Sequence, residues 1–70
     1  MRGMTSYITS TGMRIPAITM RKMVQRVRAD DDWQTIITEE LIGLLPATDA
    51  GYDDAHEVLR EAESRVGVEH

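Results

Sequence analysis

The sequence predicts a small, mainly α-helical domain of three helices, preceded by a short N-terminal β-hairpin or strand. An apolar fraction of 41% in a chain of 70 residues is typical of a single folded domain. Apolar residues recur at helical spacing over residues 20–27 and 55–66, whereas residues 1–19 are rich in Thr, Ser and Gly. We therefore expect an arm or weak β-hairpin over residues 1–19 and a three-helix domain over residues 20–70.

The N-terminal segment contains the sequence "SYITSTGMRI", in which two short apolar/polar stretches flank Thr11 and Gly12. This arrangement predicts a hairpin that turns at these two residues. Pro16 cannot donate a ladder hydrogen bond, so the second strand should be short or lie at an edge. A disordered arm is the alternative interpretation.

The first helix is predicted from residue 20, with Thr19 as its N-cap. Its apolar stripe consists of Met20, Met23, Val24 and Val27. Its other face is polar and basic, with Arg21, Lys22, Gln25, Arg26 and Arg28. The aspartates at 30–32 should end this helix, because aspartate is unfavourable at a helix C-terminus and favourable at the start of the next helix.

The next element has two interpretations. The residues Trp33, Ile36, Ile37, Leu41, Leu44 and Leu45 almost fit one helix capped by Asp32. However, residues 35–38 are four β-branched residues in a row, which favour a strand. We favour a short strand there, followed by a helix over residues 39–45 that is capped by Thr38 and stops before Pro46.

The third helix has the clearest pattern. One face carries Ala55, Val58, Leu59, Ala62 and Val66. Asp53 and Asp54 lie near the positive end of the helix dipole, and Glu61 and Arg65 form a favourable i, i+4 pair. Gly67 is expected as the C′ residue that ends the helix, and the last residues, "GVEH", as a possible final short strand.

Charge is divided unevenly along the chain. Residues 1–28 contain six Lys and Arg residues and no acid (+6), whereas residues 29–70 contain two arginines and twelve acids (−10). Such asymmetry indicates polyanion binding or self-association, although both faces could also be solvated separately. Cysteine is absent, so disulfides cannot stabilise the chain. A small domain without disulfides or a metal often gains stability by associating with a second copy, and we therefore expect a homodimer.

Three helices with a strand before the second form an outline that resembles the helix-turn-helix family and its winged variant. The segments that carry this resemblance are "TIITEELIGLLP" and "YDDAHEVLREAESRVG", within residues 20–67. The connection "PATDAG" is longer than the tight turn of that family. The resemblance implies a small DNA-binding regulatory protein of the kind carried by phages, plasmids or operons.

The third helix has the wrong charge for a recognition helix of that family. Its N-terminal half would present Tyr52, Asp53, His56 and Glu57, and phosphates repel carboxylates. We therefore expect nucleic acid to contact the basic N-terminal half. The predicted contact residues are Arg14, Arg21, Lys22, Arg26 and Arg28.

A different hypothesis is a protein–protein adaptor or inhibitor, including a DNA mimic, that docks its acidic third helix on a basic partner. The first interpretation of Trp33 is a half-buried core residue. In this hypothesis it would instead anchor the interface, since tryptophan is enriched among hot spots. The predicted interface residues are Trp33, Tyr52, Asp53, His56 and Glu57. A third hypothesis is a structural subunit of a larger assembly.

Enzymatic function is not expected. His56 is surrounded in sequence by Asp53, Glu57 and Arg60, but the helical stripe predicts that all four face solvent. The sequence has no glycine-rich phosphate loop and no pattern of metal ligands, so no cofactor or metal is predicted. No apolar run is long enough to span a membrane and no signal-peptide pattern is present, which predicts a cytoplasmic protein.

Overall fold

The computed structural model describes residues 5–68 and shows three helices preceded by a two-stranded antiparallel sheet. The strands are β1 (Tyr7–Ile8) and β2 (Arg14–Ile15), and the helices are α1 (Ala17–Arg28), α2 (Trp33–Glu40) and α3 (Asp49–Val68). The predicted fold class, mainly α with an N-terminal hairpin, is confirmed.

The hairpin turns where the sequence predicts it. Tyr7 pairs with Ile15 and Ile8 with Arg14, so Tyr7 and Ile15 share the face that packs on the helices. The turn is closed by hydrogen bonds from the Thr9 amide to the Met13 carbonyl and from the Gly12 amide to the Thr9 carbonyl, both 2.9 Å. Gly12 has φ of 91°, a conformation that favours glycine.

Helix α1 begins at Ala17, and the prediction that Thr19 caps it is wrong. Pro16, with φ −61° and ψ 153°, is the N-cap residue, and its carbonyl accepts the Met20 amide at 3.1 Å. Proline supplies the backbone angle needed at this entry without any side-chain cap. The helix ends at Arg28 as predicted, and Asp30 follows with φ of 65°, which aspartate tolerates better than most residues.

Residues 35–38 are helical, so the strand predicted there is wrong, and so is a helix over 39–45 capped by Thr38. Asp32 caps α2 by accepting the Thr35 amide at 3.2 Å, and Ile36 is buried on the inner face of the helix. Capping and burial together outweigh the modest helix penalty of β-branched residues. Helix α2 ends at Glu40, and Gly43, with φ of 84°, lies in an irregular connection.

Helix α3 is longer than the sequence pattern indicates. It begins at Asp49, one turn before Asp53, because the Thr48 hydroxyl accepts the Gly51 amide at 3.2 Å and caps the first turn. Gly67 lies inside the helix, so its predicted role as the C′ residue is wrong. Gly67 and Val68 are helical rather than part of a final strand, and residues 69–70 lie outside the described residues.

The core is formed by side chains from β2 and all three helices. Its buried members are Ile15, Met20, Met23, Val24, Ile36, Leu41, Ala55, Val58, Leu59 and Ala62, with Val27, Leu44 and Val66 packed against them. The helical stripes predicted for α1 and α3 therefore supply most of the core, and each faces the other.

Polar contacts attach the hairpin to α3. Asp54 is only 4% exposed, and its Oδ2 accepts hydrogen bonds from the hydroxyls of Thr9 and Thr11. Glu57 accepts the Ser10 hydroxyl at 2.6 Å and the Tyr7 hydroxyl at 2.5 Å. We call this set of contacts the hairpin clasp. It fixes the hairpin against α3.

The hairpin clasp changes the acidity of two of its groups. Hydrogen bonds from Ser10 and Tyr7 stabilise the charged form of Glu57 and hold its pKa below the ordinary value of 4.5. The hydrogen bond to Glu57, together with desolvation, raises the pKa of Tyr7 to about 12. The clasp thus favours an ionised Glu57 and a protonated Tyr7.

We expect Glu57→Gln to lower the thermal unfolding midpoint at pH 7 and to make no difference in strong acid. A depressed folded pKa stabilises the protein above 4.5, and this stabilisation is lost as pH falls through the folded pKa. The raised pKa of Tyr7 has the opposite sign, so its contribution is present below pH 10 and lost toward pH 12. Melting curves of both proteins from pH 2 to pH 7 test the first effect; equal separation of midpoints at every pH would contradict it.

Candidate binding surfaces

The exposed face of α1 is cationic and carries one large apolar side chain. Helical spacing of three and four residues brings its members onto one side of the helix. We call it the cationic face, and it consists of Ile18, Arg21, Lys22, Gln25 and Arg28. Ile18 is 57% exposed, one helical turn before Arg21 and Lys22, and α1 contains no acid. This surface therefore combines positive charge with one exposed apolar side chain at its N-terminal end.

Arg26 does not belong to the cationic face. Its guanidinium lies 3.0 Å from Asp31, 2.6 Å from Glu39 and 3.2 Å from Glu40. Hydrogen bonds to Asp31 and then to Glu39 raise the pKa of Arg26 further above its already high ordinary value. Arg26 is one of the predicted nucleic-acid contacts, but its guanidinium is bound by carboxylates and links α1 to α2.

The other predicted contacts lie at the surface. Arg14 is exposed on the outer face of the hairpin, paired across the strands with Ile8, and Arg21 and Lys22 are exposed on α1. Within residues 5–68, none of these three cations has an ion pair. Arg28 is also exposed, at the last position of α1.

An open groove lies where α2 ends, along the connection 41–48 and against the start of α3. Its volume is about 510 Å³. We call it the apolar groove, and its main side chains are Ile37, Leu41, Ile42, Leu45, Tyr52 and Ala55. Ile42 is 73% exposed, the largest exposure among the big hydrophobic residues of the described chain. Such a contiguous apolar surface is typical of a binding site.

Three aromatic rings stand beside the apolar groove. The imidazole of His56 lies between Trp33 and Tyr52, with ring centroids 5.0 Å and 4.5 Å away, and it meets Tyr52 edge-on. Trp33 remains 40% exposed and Tyr52 52% exposed. Tyr52 itself lines the groove, and Ile37 stands one helical turn after Trp33. The rings therefore extend the apolar groove along the surface between α2 and α3.

The residues predicted as a protein interface are divided between two sides of α3. Trp33, Tyr52 and His56 lie together, whereas Glu57 points into the hairpin clasp. The prediction that His56 and Glu57 simply face solvent is wrong, because each is partly buried against a neighbouring element. Asp53 and Arg60 are exposed, as predicted.

The sequence patterns do not predict Ile37, Ile42 and Leu45, which line the apolar groove, as part of a binding site. The signal that could have found them is the sequence "LIGLLP", with four branched apolar residues around Gly43. Glycine and proline interrupt regular structure, so these side chains cannot all face one core. Leu41 is buried, and Ile42 is the member of the set that faces outward.

The surroundings of the apolar groove are acidic. Residues 29–59 contain nine Asp and Glu residues and no lysine or arginine. Arg26 pairs with three of these acids and the hairpin clasp holds Asp54 and Glu57, whereas the exposed Asp49 lines the groove itself. The electrostatic field at the groove should therefore attract a cationic partner.

Within residues 5–68, no three His, Asp or Glu side chains are grouped so that they could hold a metal ion. None of the helices in the same segment has the length and apolar character needed to cross a bilayer.

Comparison with protein family models, curated proteins and solved structures gives no match for this chain. Its candidate binding surfaces are therefore supported by the geometry and charge of its own residues.

Proposed function

We propose that this domain is a protein-binding adaptor or inhibitor whose apolar groove receives a cationic amphipathic helix. The observation that carries this proposal is the exposure of Ile42, at 73%, in a groove that is bordered by aromatic rings and by the carboxylate of Asp49. The binding surface is thus the junction of α2 and α3, and only Trp33, Tyr52 and His56 of the predicted interface residues contribute to it directly.

The energetics of such a contact follow from the groove's composition. Apolar side chains of a partner would remove Ile42 and Tyr52 from water, at roughly 25 cal/mol for each Å² buried. Tryptophan and tyrosine often dominate binding energy when they are fully desolvated in a complex. A helix with apolar residues every three or four positions is the ligand that a groove of this kind commonly takes.

Charge determines which helix would fit. Among the described residues, no lysine or arginine lines the groove, and the exposed Asp49 is available to a cation of the partner. A basic helix would therefore approach faster and bind in a preferred orientation.

A titration with a designed Leu/Lys amphipathic peptide tests this function, because Trp33 is the single tryptophan and reports on its own surroundings. We expect saturable change in its emission, and loss of that change in Ile42→Asp. The added carboxylate would strengthen attraction that depends on charge alone, so weaker binding by this variant isolates the apolar contribution. Equal or tighter binding by Ile42→Asp would contradict the proposal.

The exposed cations Arg14, Arg21 and Lys22 favour a second candidate function, DNA binding by the basic N-terminal half. In this proposal the chain is a small regulatory protein of the kind that the helix-turn-helix resemblance implies. Phosphates would lie along the cationic face rather than on the acidic α3. Arg26 would take no part, since its guanidinium is held by Asp31, Glu39 and Glu40.

Fluorescence anisotropy with mixed-sequence duplex DNA at several salt concentrations tests this candidate. Changing Arg21 and Lys22 to Ala should weaken binding to all sequences and reduce the log–log salt slope by about two. Arg60→Ala is the control, because Arg60 is an exposed cation on α3, away from the cationic face. The absence of binding at low salt, or an equal loss in the Arg60 variant, would rule out this surface.

Both candidates are binding functions without a reaction step. We accordingly propose a non-enzymatic protein that acts without a cofactor, in the cytoplasm, and that forms a homodimer. Activity of the purified chain on any substrate would contradict the first part of this proposal.

A further inference from the structure

We propose that a second copy of this chain occupies the apolar groove, with Ile18 of the cationic face inserted beside Ile42 of its neighbour. This inference depends on the proposed protein-binding function and names one partner for the same groove. The chain carries two surfaces that can bind each other: an apolar groove that no cation of residues 5–68 lines, and a cationic helix face with an exposed isoleucine at its N-terminal end.

The two surfaces are complementary in charge. Helix α1 contains no acid, and its exposed Arg21 and Lys22 lie one helical turn after Ile18. The groove is built by residues 37–55, within a stretch of the chain that contains no lysine or arginine, and Asp49 is among its lining residues. Docking would bring unlike charges together around a contact between Ile18 and Ile42.

The two surfaces are also complementary in shape, because a helix can lie along an open groove. The apolar groove is open and bordered by helix ends, and α1 is a regular helix of 12 residues whose outer face is free of the core. Ile18 and Gln25 lie seven residues apart on that face, so one stretch of two turns can lie along the groove.

The contact joins different surfaces of the two chains. No residue of α1 lines the apolar groove. The association is therefore head-to-tail, and a homodimer formed in this way keeps one groove and one cationic face unoccupied. Larger species should appear as concentration rises, because each unoccupied surface can take another copy.

The contact should be weak and sensitive to salt. It involves one helix face and one groove, which is less than the surface of a standard stable interface. Exposed ion pairs are screened as the Debye length falls from about 8 Å at physiological salt to about 3 Å at 1 M. Association would thus be seen at high protein concentration and low ionic strength.

Analytical ultracentrifugation of the wild-type chain, Ile18→Asp, Ile42→Asp and an equal mixture of the two variants tests this inference. Ile18→Asp keeps an intact groove, and Ile42→Asp keeps an intact cationic face. Both isoleucines are exposed, so circular dichroism should show unchanged folding. Concentrations from about 10 µM to about 1 mM cover the dissociation constants of weak contacts.

We expect the weight-average mass of the wild type to rise with concentration and to fall again with salt. Each variant alone should remain monomeric, whereas their mixture should form dimers and nothing larger. A monomeric wild type at low salt would overturn the inference, and so would a mixture that remains monomeric or an Ile18→Asp chain that still associates. A monomeric wild type that nevertheless binds the Leu/Lys peptide would reject the second copy while leaving the proposed function intact.

Discussion

Replacing Leu59 by Ala is expected to lower the free energy of unfolding by about 2–5 kcal/mol. Leu59 is 7% exposed and lies in the core that joins α3 to α1 and α2. Its truncation removes apolar contacts and leaves a cavity, and a domain of this size has little stability to spare. Much of the chain should therefore be unfolded at 37 °C.

Urea denaturation followed by circular dichroism measures this loss. Ile42→Ala is the matched control, because it also truncates a branched aliphatic side chain but one that is 73% exposed. We expect the control to remain within about 0.5 kcal/mol of the wild type. An equally small loss for Leu59→Ala would mean that α3 is not docked on the other helices.

Replacing Gly51 by Ala is expected to disrupt the apolar groove. A Cβ at this position would lie 1.9 Å from the Pro46 carbonyl oxygen and 2.9 Å from its carbon, and both are backbone atoms. The connection 41–48 and the first turn of α3 must then move apart. Overpacking of this kind costs roughly 1–3 kcal/mol, and here it also separates the two walls of the groove.

Gly67→Ala is the control for this substitution. Gly67 is also helical, but a Cβ there would meet nothing within 4 Å, so alanine should stabilise α3 by up to about 1 kcal/mol. In thermal melts, the unfolding midpoint should therefore fall for Gly51→Ala and rise for Gly67→Ala. In the Leu/Lys peptide titration, only Gly51→Ala should lose binding. Unchanged peptide binding by Gly51→Ala would mean that the groove is not the binding site.

Local sequence patterns were sufficient to predict most of the fold. The stripes containing Met20 to Val24 and Ala55 to Ala62 repeat at helical spacing, and burial follows directly from that spacing. The hairpin turn was predictable because Gly12 supplies a positive φ between two short apolar stretches. These features depend on residues that are close together in sequence.

Features that depend on distant neighbours were not predictable in the same way. Residues 35–38 have strand propensity, but Asp32 caps a helix and Ile36 is buried against other elements, which decides the conformation. Helical spacing predicts Arg26 on a solvent-facing stripe, but α2 brings Glu39 and Glu40 within reach of its guanidinium. Glu57 is bound by a hairpin about 50 residues earlier in the chain.

The candidate site was predicted only in part for the same reason. The sequence favours a half-buried core position for Trp33, with an interface anchor as the alternative, and the structure leaves it 40% exposed beside His56. The groove itself is formed by an irregular connection whose path cannot be derived from helical or strand periodicity. Ile42 is exposed because the chain leaves α2 at Glu40 and turns at Gly43.

The central claim, that the apolar groove binds a cationic amphipathic helix, is tested most directly by NMR. Amide resonances of the ¹⁵N-labelled chain would be followed while the unlabelled Leu/Lys peptide is added at physiological salt. We predict the largest shifts at Ile37, Ile42 and Tyr52, and small shifts at exposed acids far from the groove, such as Glu63. Shifts that are largest at Glu63 and other exposed acids, with Ile42 unaffected, would contradict the claim and reduce the interaction to attraction between opposite charges.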